Sequence, residues 1–199
     1  MDYFLKEKKM GFYVDVGAYH PMHISNTYKF YRRGWKGIQI EPNYNKFTLF
    51  QKYRPNTINL NIGVGNREGV MKFFIFEDDA YSTFSEEIVE LNKSHGHKLV
   101  ETKNVPIKPL RKVFAEYADK KEIDFMSVDT EGYDLEVLQT NDWNLYRPRF
   151  VVVETMEAGD RLFSRKLTTI DPFMKSVGYE KVADTYLNTI YADKSEMNG

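Results

Sequence analysis

Gly11-Phe12-Tyr13-Val14-Asp15-Val16-Gly17 is a run of β-branched and aromatic residues that ends on a glycine, the pattern of a buried strand stopped by a tight turn. Beyond it, Ser25 to Arg33 reads as a helix. It has a polar start, apolar Tyr28, Phe30 and Tyr31, basic Lys29, Arg32 and Arg33, and Gly34 past its end; Ser25 or Asn26 is the expected N-cap. Lys36 to Pro42 is then a second strand, and Asn43 to Tyr53 a second helix with Tyr44, Phe47 and Phe50 on one stripe, stopped by Pro55. Thr57 to Ile62 is a third strand. Strands separated by crossover helices predict an α/β fold whose sheet is mostly parallel with right-handed connections.

The alternation then breaks. Val70 to Glu77 and Val105 to Leu110 read as strands around an irregular polar segment, Asp78 to Asn104, so the stretch at about 66–109 is expected to be a lid-like insertion over one end of the sheet. Order resumes with Leu110, Val113, Phe114 and Tyr117 at helical spacing, a strand over Ile123 to Val128, a helix from Asp134 and a strand over Phe150 to Val153. Asp171-Pro172 opens a further helix that Gly178 closes. Val182 to Tyr186 and Thr189 to Ala192, joined at Leu187-Asn188, form an expected terminal hairpin that adds one antiparallel strand. With no repeat, low-complexity tract or linker, all 199 residues are read as one domain.

Charge and composition exclude several functions. The 28 Lys and Arg against 29 Asp and Glu leave a formal net charge of −1, so no overall electrostatic attraction to nucleic acid or anionic membrane is expected. The hydrophobic fraction of 42% suffices for one sizeable core. The longest apolar runs, such as Phe73 to Phe76, fall far short of the roughly 20 residues of a membrane helix. Met1 to Lys9 has neither the apolar core nor the cleavage site of a secretory signal, and the chain has no cysteine, so a cytoplasmic location is expected. Thiolate nucleophiles and Cys-ligated zinc are ruled out with the cysteines, which leaves oxygen and imidazole chemistry. Oligomeric state has no signal in the pattern.

In an open α/β sheet, ligands bind beyond the carboxyl ends of the strands. Those ends deliver Asp15, Gly17, Ala18, Tyr19 and His20 from the first strand, Glu41 and Pro42 from the second, Asn61 and Gly63 from the third, Asp129 and Glu131 from the fourth, and Glu154 from the fifth. A glycine turn lets backbone approach a ligand, and an acid 24 residues beyond Gly17, Glu41, is placed to hydrogen-bond both hydroxyls of a ribose. A nucleoside-containing cofactor is implied. Tyr19 and Pro21 stand where a pyrophosphate-binding turn has glycines, which disfavours a dinucleotide. A nucleotide-dependent oxidoreductase is therefore the first rival reading, and a cofactor-binding protein without catalysis is the second. The glycines between Gly63 and Gly69 lead into a strand and read as turn residues.

Several motifs together resemble the FkbM-type S-adenosylmethionine-dependent methyltransferases. They are Val14-Asp15-Val16-Gly17-Ala18 with Pro21, Ser25-Asn26-Thr27-Tyr28, Arg33-Gly34-Trp35-Lys36-Gly37-Ile38, Glu41-Pro42-Asn43, Ser82-Thr83-Phe84-Ser85, Ile123 to Asp134 and Val153-Glu154. Ser127 and Thr130 depart from the family pattern, which commonly has Lys and Val there. The resemblance implies a class I methyltransferase (Rossmann-like) three-layer sandwich with a seven-stranded sheet and S-adenosylmethionine as cofactor. It also implies O-methylation of a sugar hydroxyl in a glycan, glycolipid or nucleotide sugar, so the expected partner is a small-molecule or glycan acceptor. On that footing Ser25, Asn26 and Thr27 are placed to hold the methionine carboxylate or simply to cap a helix, and Asn61 and Gly63 to flank the adenine. Ser82 to Ser85 either closes over cofactor or acceptor or is an ordinary turn.

A sugar hydroxyl is barely acidic, so its proton needs a general base or its pKa a divalent metal. Asp129 and Glu131, two residues apart, point the same way with Glu154 nearby; they are candidates for the base or for hard-cation ligands. His20 is the alternative base. His23 makes an H-x-x-H with it, but no helix presents the pair, so zinc is not expected. His95 and His97 read as a solvated loop.

Overall fold

In the computed structural model, which describes residues 1–118, 121–156 and 166–196, the strands form two sheets. The elements in chain order are β1 (Phe12–Val16), α1 (Tyr28–Arg32), β2 (Lys36–Ile40), α2 (Tyr44–Tyr53), β3 (Ile58–Leu60), β4 (Gly63–Val64), β5 (Gly69–Phe76) and α3 (Glu86–Ser94). They continue with β6 (Leu99–Lys108), α4 (Leu110–Tyr117), β7 (Phe125–Val128), α5 (Asp134–Gln139), β8 (Phe150–Glu154), α6 (Ile170–Ser176), β9 (Tyr179–Asp184) and β10 (Asn188–Asp193). The main sheet has seven strands in the order β3-β2-β1-β7-β8-β10-β9. Its first five strands are parallel, and β10 runs antiparallel to both β8 and β9. The α/β class, the mostly parallel seven-stranded sheet and the terminal antiparallel hairpin all match the sequence reading.

Side-chain alternation along β1 divides the interior. Phe12, Val14 and Val16 join Ile38, Ile40, Leu110, Phe114, Leu138 and Met174 in one buried cluster, whereas Tyr13 packs with Leu5, Phe30, Trp35, Phe125 and Ile190 on the opposite face. Asp15 shares the Tyr13 face and lies at the carboxyl end of the strand, where the apolar layer gives way to buried polar groups. Among the described residues no helix is long and apolar enough to cross a membrane.

The structure corrects the sequence reading in four places. Helix α1 is only five residues long, and its N-cap is Thr27 with no side-chain capping bond, because the Ser25 and Thr27 hydroxyls are engaged by Arg54 and Asp15 instead. The segment from Asp78 to Asn104 is not irregular. It holds α3, started by the Ser85 side chain accepting from the Ile88 amide, and most of β6. β6 pairs antiparallel with β5 along its length and parallel with the short β4, making a second, three-stranded sheet. Only its end, from Val105, reads as a strand in the sequence, because Val105 and Ile107 are the only buried residues of its ten. The final hairpin begins at Tyr179, earlier than expected, and α6 begins at Ile170.

Candidate active site

The carboxyl ends of β1, β2 and β7 open into one cleft, whose empty space out to and including its open mouth is about 1020 Å³. Asp15, Gly17, Ala18, Tyr19, Ser25, Asn26, Glu41, Pro42, Gly63, Asp129 and Glu131 all line it. Gly17 makes the convergence possible. Its φ is +73°, and a Cβ there would sit 1.7 Å from the Asp129 carbonyl oxygen, so the β1 turn lies directly against the end of β7.

Glu41 is buried at the end of β2. Its two carboxylate oxygens accept from the backbone amides of Tyr19 and Asn43, each at 2.7 Å, and Tyr19 adopts a positive φ of 52°. Asn61 does not line the cleft. Its amide donates to the carbonyls of Glu41 and Pro42 at 2.8 and 3.0 Å, and so fixes the strand end that presents the acid. Burial pushes the Glu41 carboxyl up to about 8, against the pull of the two amides and of Lys46.

The second acidic group lies across the cleft. Asp129, Glu131 and Glu154 each offer an oxygen within 4.8 Å of the others, and Asp129 and Glu154 hydrogen-bond each other. Burial, then mutual repulsion, holds Asp129 and Glu131 well above the usual carboxylate range, and burial pushes Glu154 up to about 8. Glu131 has a φ of +52° and Gly132 one of +86°. This left-handed pair is braced on both sides: Asp134 accepts from the Thr130 amide and hydroxyl, and Thr83 Oγ1 donates to the Glu131 carbonyl at 3.0 Å.

Three of the residues singled out in the sequence lie outside this lining, besides Asn61. Thr27 is buried behind it, donating to Asp15 and accepting from Arg54. His20 uses Nδ1 to accept from the Met22 and His23 amides, an arrangement internal to its loop; burial, then the charge of His23, lowers its pKa. Glu154 reaches the site through Asp129. Asn26, by contrast, lines the cleft while donating to Ser127 of β7 at 3.0 Å.

Other lining residues were not legible in the sequence. Lys46 of α2 reaches Asp79 at 2.8 Å and lies 4.2 Å from the centre of the Tyr19 ring, so α2, the β1 turn and the insertion meet over the Glu41 corner. Phe73 and Phe84 pack together at 4.7 Å, and a Cβ on Gly63 would strike the Phe84 ring at 2.4 Å. Lys46 and Asp79 stand in ordinary polar contexts, and only the three-dimensional crossing of two segments makes them neighbours. Phe84 lies within the Ser82 to Ser85 motif, which was the one available signal.

A mostly parallel sheet of this strand order, ending in an antiparallel hairpin and opening at the β1–β2 edge, defines a Rossmann-like fold of the methyltransferase class. The family model described as the Methyltransferase FkbM domain matches residues 15–181, and the chain belongs to that family. It is accordingly a methyltransferase, of a family whose members in general use S-adenosylmethionine. A comparison with curated proteins found no match.

Proposed function

We propose that this methyltransferase moves the methyl group of S-adenosylmethionine to a hydroxyl oxygen of a sugar-like acceptor, either a small molecule or a glycan. The observation that carries the proposal is the pairing, in one cleft, of a buried acid at the end of β2 with the carboxylates of Asp129 and Glu131 after β7, which lie within 4.8 Å of Glu154 at the end of β8. In this reading Glu41 takes the ribose hydroxyls, Gly63 and Phe84 border the base, and Ser25 and Asn26 receive the amino-acid end. The sulfonium then faces Asp129 and Glu131.

The acceptor oxygen attacks the methyl carbon in line, the carbon–sulfur bond breaks with its electron pair passing to sulfur, and the hydroxyl proton must leave. Positioning supplies most of the acceleration in such a displacement. A carboxylate with a pKa near that of Glu154, about 8, is far better matched to a proton-transfer task near neutral pH than an ordinary one. The Asp129, Glu131 and Glu154 group therefore carries the proton-acceptor role through its ionised fraction, with Glu154 the member whose pKa lies near the working pH, whereas the ring nitrogen of His20 that the structure engages serves its own loop.

A second reading is favoured by the spacing of the triad. Three hard oxygen donors within 4.8 Å of one another suit a divalent cation of the magnesium or manganese type. Bound there, such an ion would lower the pKa of the acceptor hydroxyl. Both readings are tested with methyl-labelled S-adenosylmethionine and a panel of sugars, nucleotide sugars and glycolipids. Asp129→Asn and Glu131→Gln are expected to lose at least about a hundredfold in single-turnover rate with cofactor affinity kept within a few-fold. Rates close to wild type in both variants would refute the carboxylate assignment. Activity lost to EDTA and restored by magnesium or manganese would select the cation reading.

A further inference from the structure

Arg54, directly after α2, is fully buried although it carries a charged guanidinium, and it is not itself one of the residues that line the cleft. All three of its nitrogens are used, and all three reach the segment between β1 and α1. Nε donates to the Pro21 carbonyl at 2.7 Å, one terminal nitrogen to Thr27 Oγ1 at 2.7 Å, and the other to Ser25 Oγ at 2.9 Å. Thr27 passes the interaction on by donating to Asp15. Gln39, with its amide turned to satisfy its neighbours, makes a parallel link: it donates to Asp15 at 3.2 Å and accepts from Arg54 at 3.2 Å.

A buried charge is costly unless paired and hydrogen-bonded, and here the compensating partners are one turn and one carboxylate. Ser25 and Asp15 line the cleft, so the two ends of the network are the only parts a ligand can meet. The fork geometry matters, because a point charge such as lysine cannot hold a carbonyl and two hydroxyls in fixed directions at once. Ile24, between these anchors, is held at a φ of +48°. For a β-branched residue that conformation persists only where the surroundings impose it.

We propose that Arg54 is a positioning residue for the amino-acid end of the cofactor. It fixes the Pro21 to Thr27 turn so that Ser25 and Asp15 present their oxygens to that end of the ligand and to no other part of it. The inference rests on the cofactor orientation given under the proposed function.

The test compares two ligands by calorimetric titration: S-adenosylhomocysteine, which has the amino-acid end, and 5′-methylthioadenosine, which lacks it. Arg54→Met is expected to weaken the first at least tenfold and the second less than twofold, and Arg54→Lys to restore little of the loss. Thr27→Val, which keeps the Arg54 side chain with its bonds to Pro21 and Ser25 but removes the hydroxyl joining Arg54 to Asp15, is expected to show the same selectivity in smaller measure, and it serves if the Arg54 variants fail to fold. Equal weakening of both ligands, or of neither, in Thr27→Val and in any folded Arg54 variant would overturn the inference. Failure of the wild-type protein to bind either ligand would refute the cofactor reading itself, a result distinguishable from the first because it appears before any substitution is made.

Discussion

Glu41 has both carboxylate oxygens already engaged by backbone amides, yet each oxygen keeps a further lone-pair direction for a ligand hydroxyl. Those hydroxyls donate to the ionised form, so they compete with the burial that pushes the group up to about 8. Binding must therefore lower its pKa and release a proton. The affinity for S-adenosylhomocysteine is expected to rise from pH 6 to pH 8, by up to about tenfold per unit, and then to level off. Titrations at pH 7 in two buffers of different ionisation enthalpy should report net proton release. A flat profile with no proton release would remove Glu41 from the ribose. The position of this acid was legible in the sequence, since strand order alone puts residue 41 at the reactive edge. Its protonation state was not, because burial and the Tyr19 amide arise only when two loops meet.

At the scale of elements, the second sheet and α3 brace the turn that follows β7. Thr83 holds the Glu131 carbonyl, and Ile88 of α3 packs where a Cβ on Gly132 would fall, at 2.8 Å. The insertion thus sets the conformation of the turn that carries a candidate catalytic acid, while Phe73, Phe84 and Asp79 line the same cleft. Thr83→Val is expected to lower kcat by several-fold, in keeping with the roughly 1 kcal/mol of a lost neutral hydrogen bond, and to leave the dissociation constant of S-adenosylhomocysteine unchanged. An unaltered kcat would show that the turn holds itself. The limits of sequence reading are clearest here. β1, β2, β7 and β8 announce themselves as apolar runs because they are buried on both faces. β6 is solvated from Leu99 to Asn104 and carries such a signature only at its end, where Val105 and Ile107 are buried. Arg54 was silent for a different reason: nothing local distinguishes an arginine after a helix that folds inward from one that faces water.

At the scale of the molecule, the site gathers acids whose pKa values rise on folding. Glu41 and Glu154 move from 4.5 to about 8, Asp134 from 3.8 to about 6, and Asp15, Asp129 and Glu131 move in the same direction, burial being the first cause in every case. The folded state thus keeps protons that the unfolded chain releases between about pH 4 and pH 8. Stability contributed by these groups is full below the unfolded values and is lost as pH rises through the folded ones. His20 and the Met1 amino group, both with pKa values lowered first by burial, oppose this, and acids held low by ion pairs, such as Asp193 beside Arg147, act below the window. The ligand-free protein is expected to melt at a lower temperature at pH 8 than at pH 6, and Asp129→Asn to flatten that difference. Thermal unfolding that rose steadily from pH 6 to pH 8 would contradict the assigned protonation of the cluster.

Whether Glu41 holds a nucleoside-type cofactor in this methyltransferase cleft is decided by calorimetric titration of the wild-type and Glu41→Ala proteins with S-adenosylhomocysteine and with NAD. One S-adenosylhomocysteine is expected to bind per chain, and no NAD. Glu41→Ala, with far-ultraviolet circular dichroism unchanged from wild type, is expected to bind it more weakly by about 1.5 to 3 kcal/mol. Binding of NAD in preference to S-adenosylhomocysteine, or an affinity that Glu41→Ala leaves unchanged, would contradict this assignment.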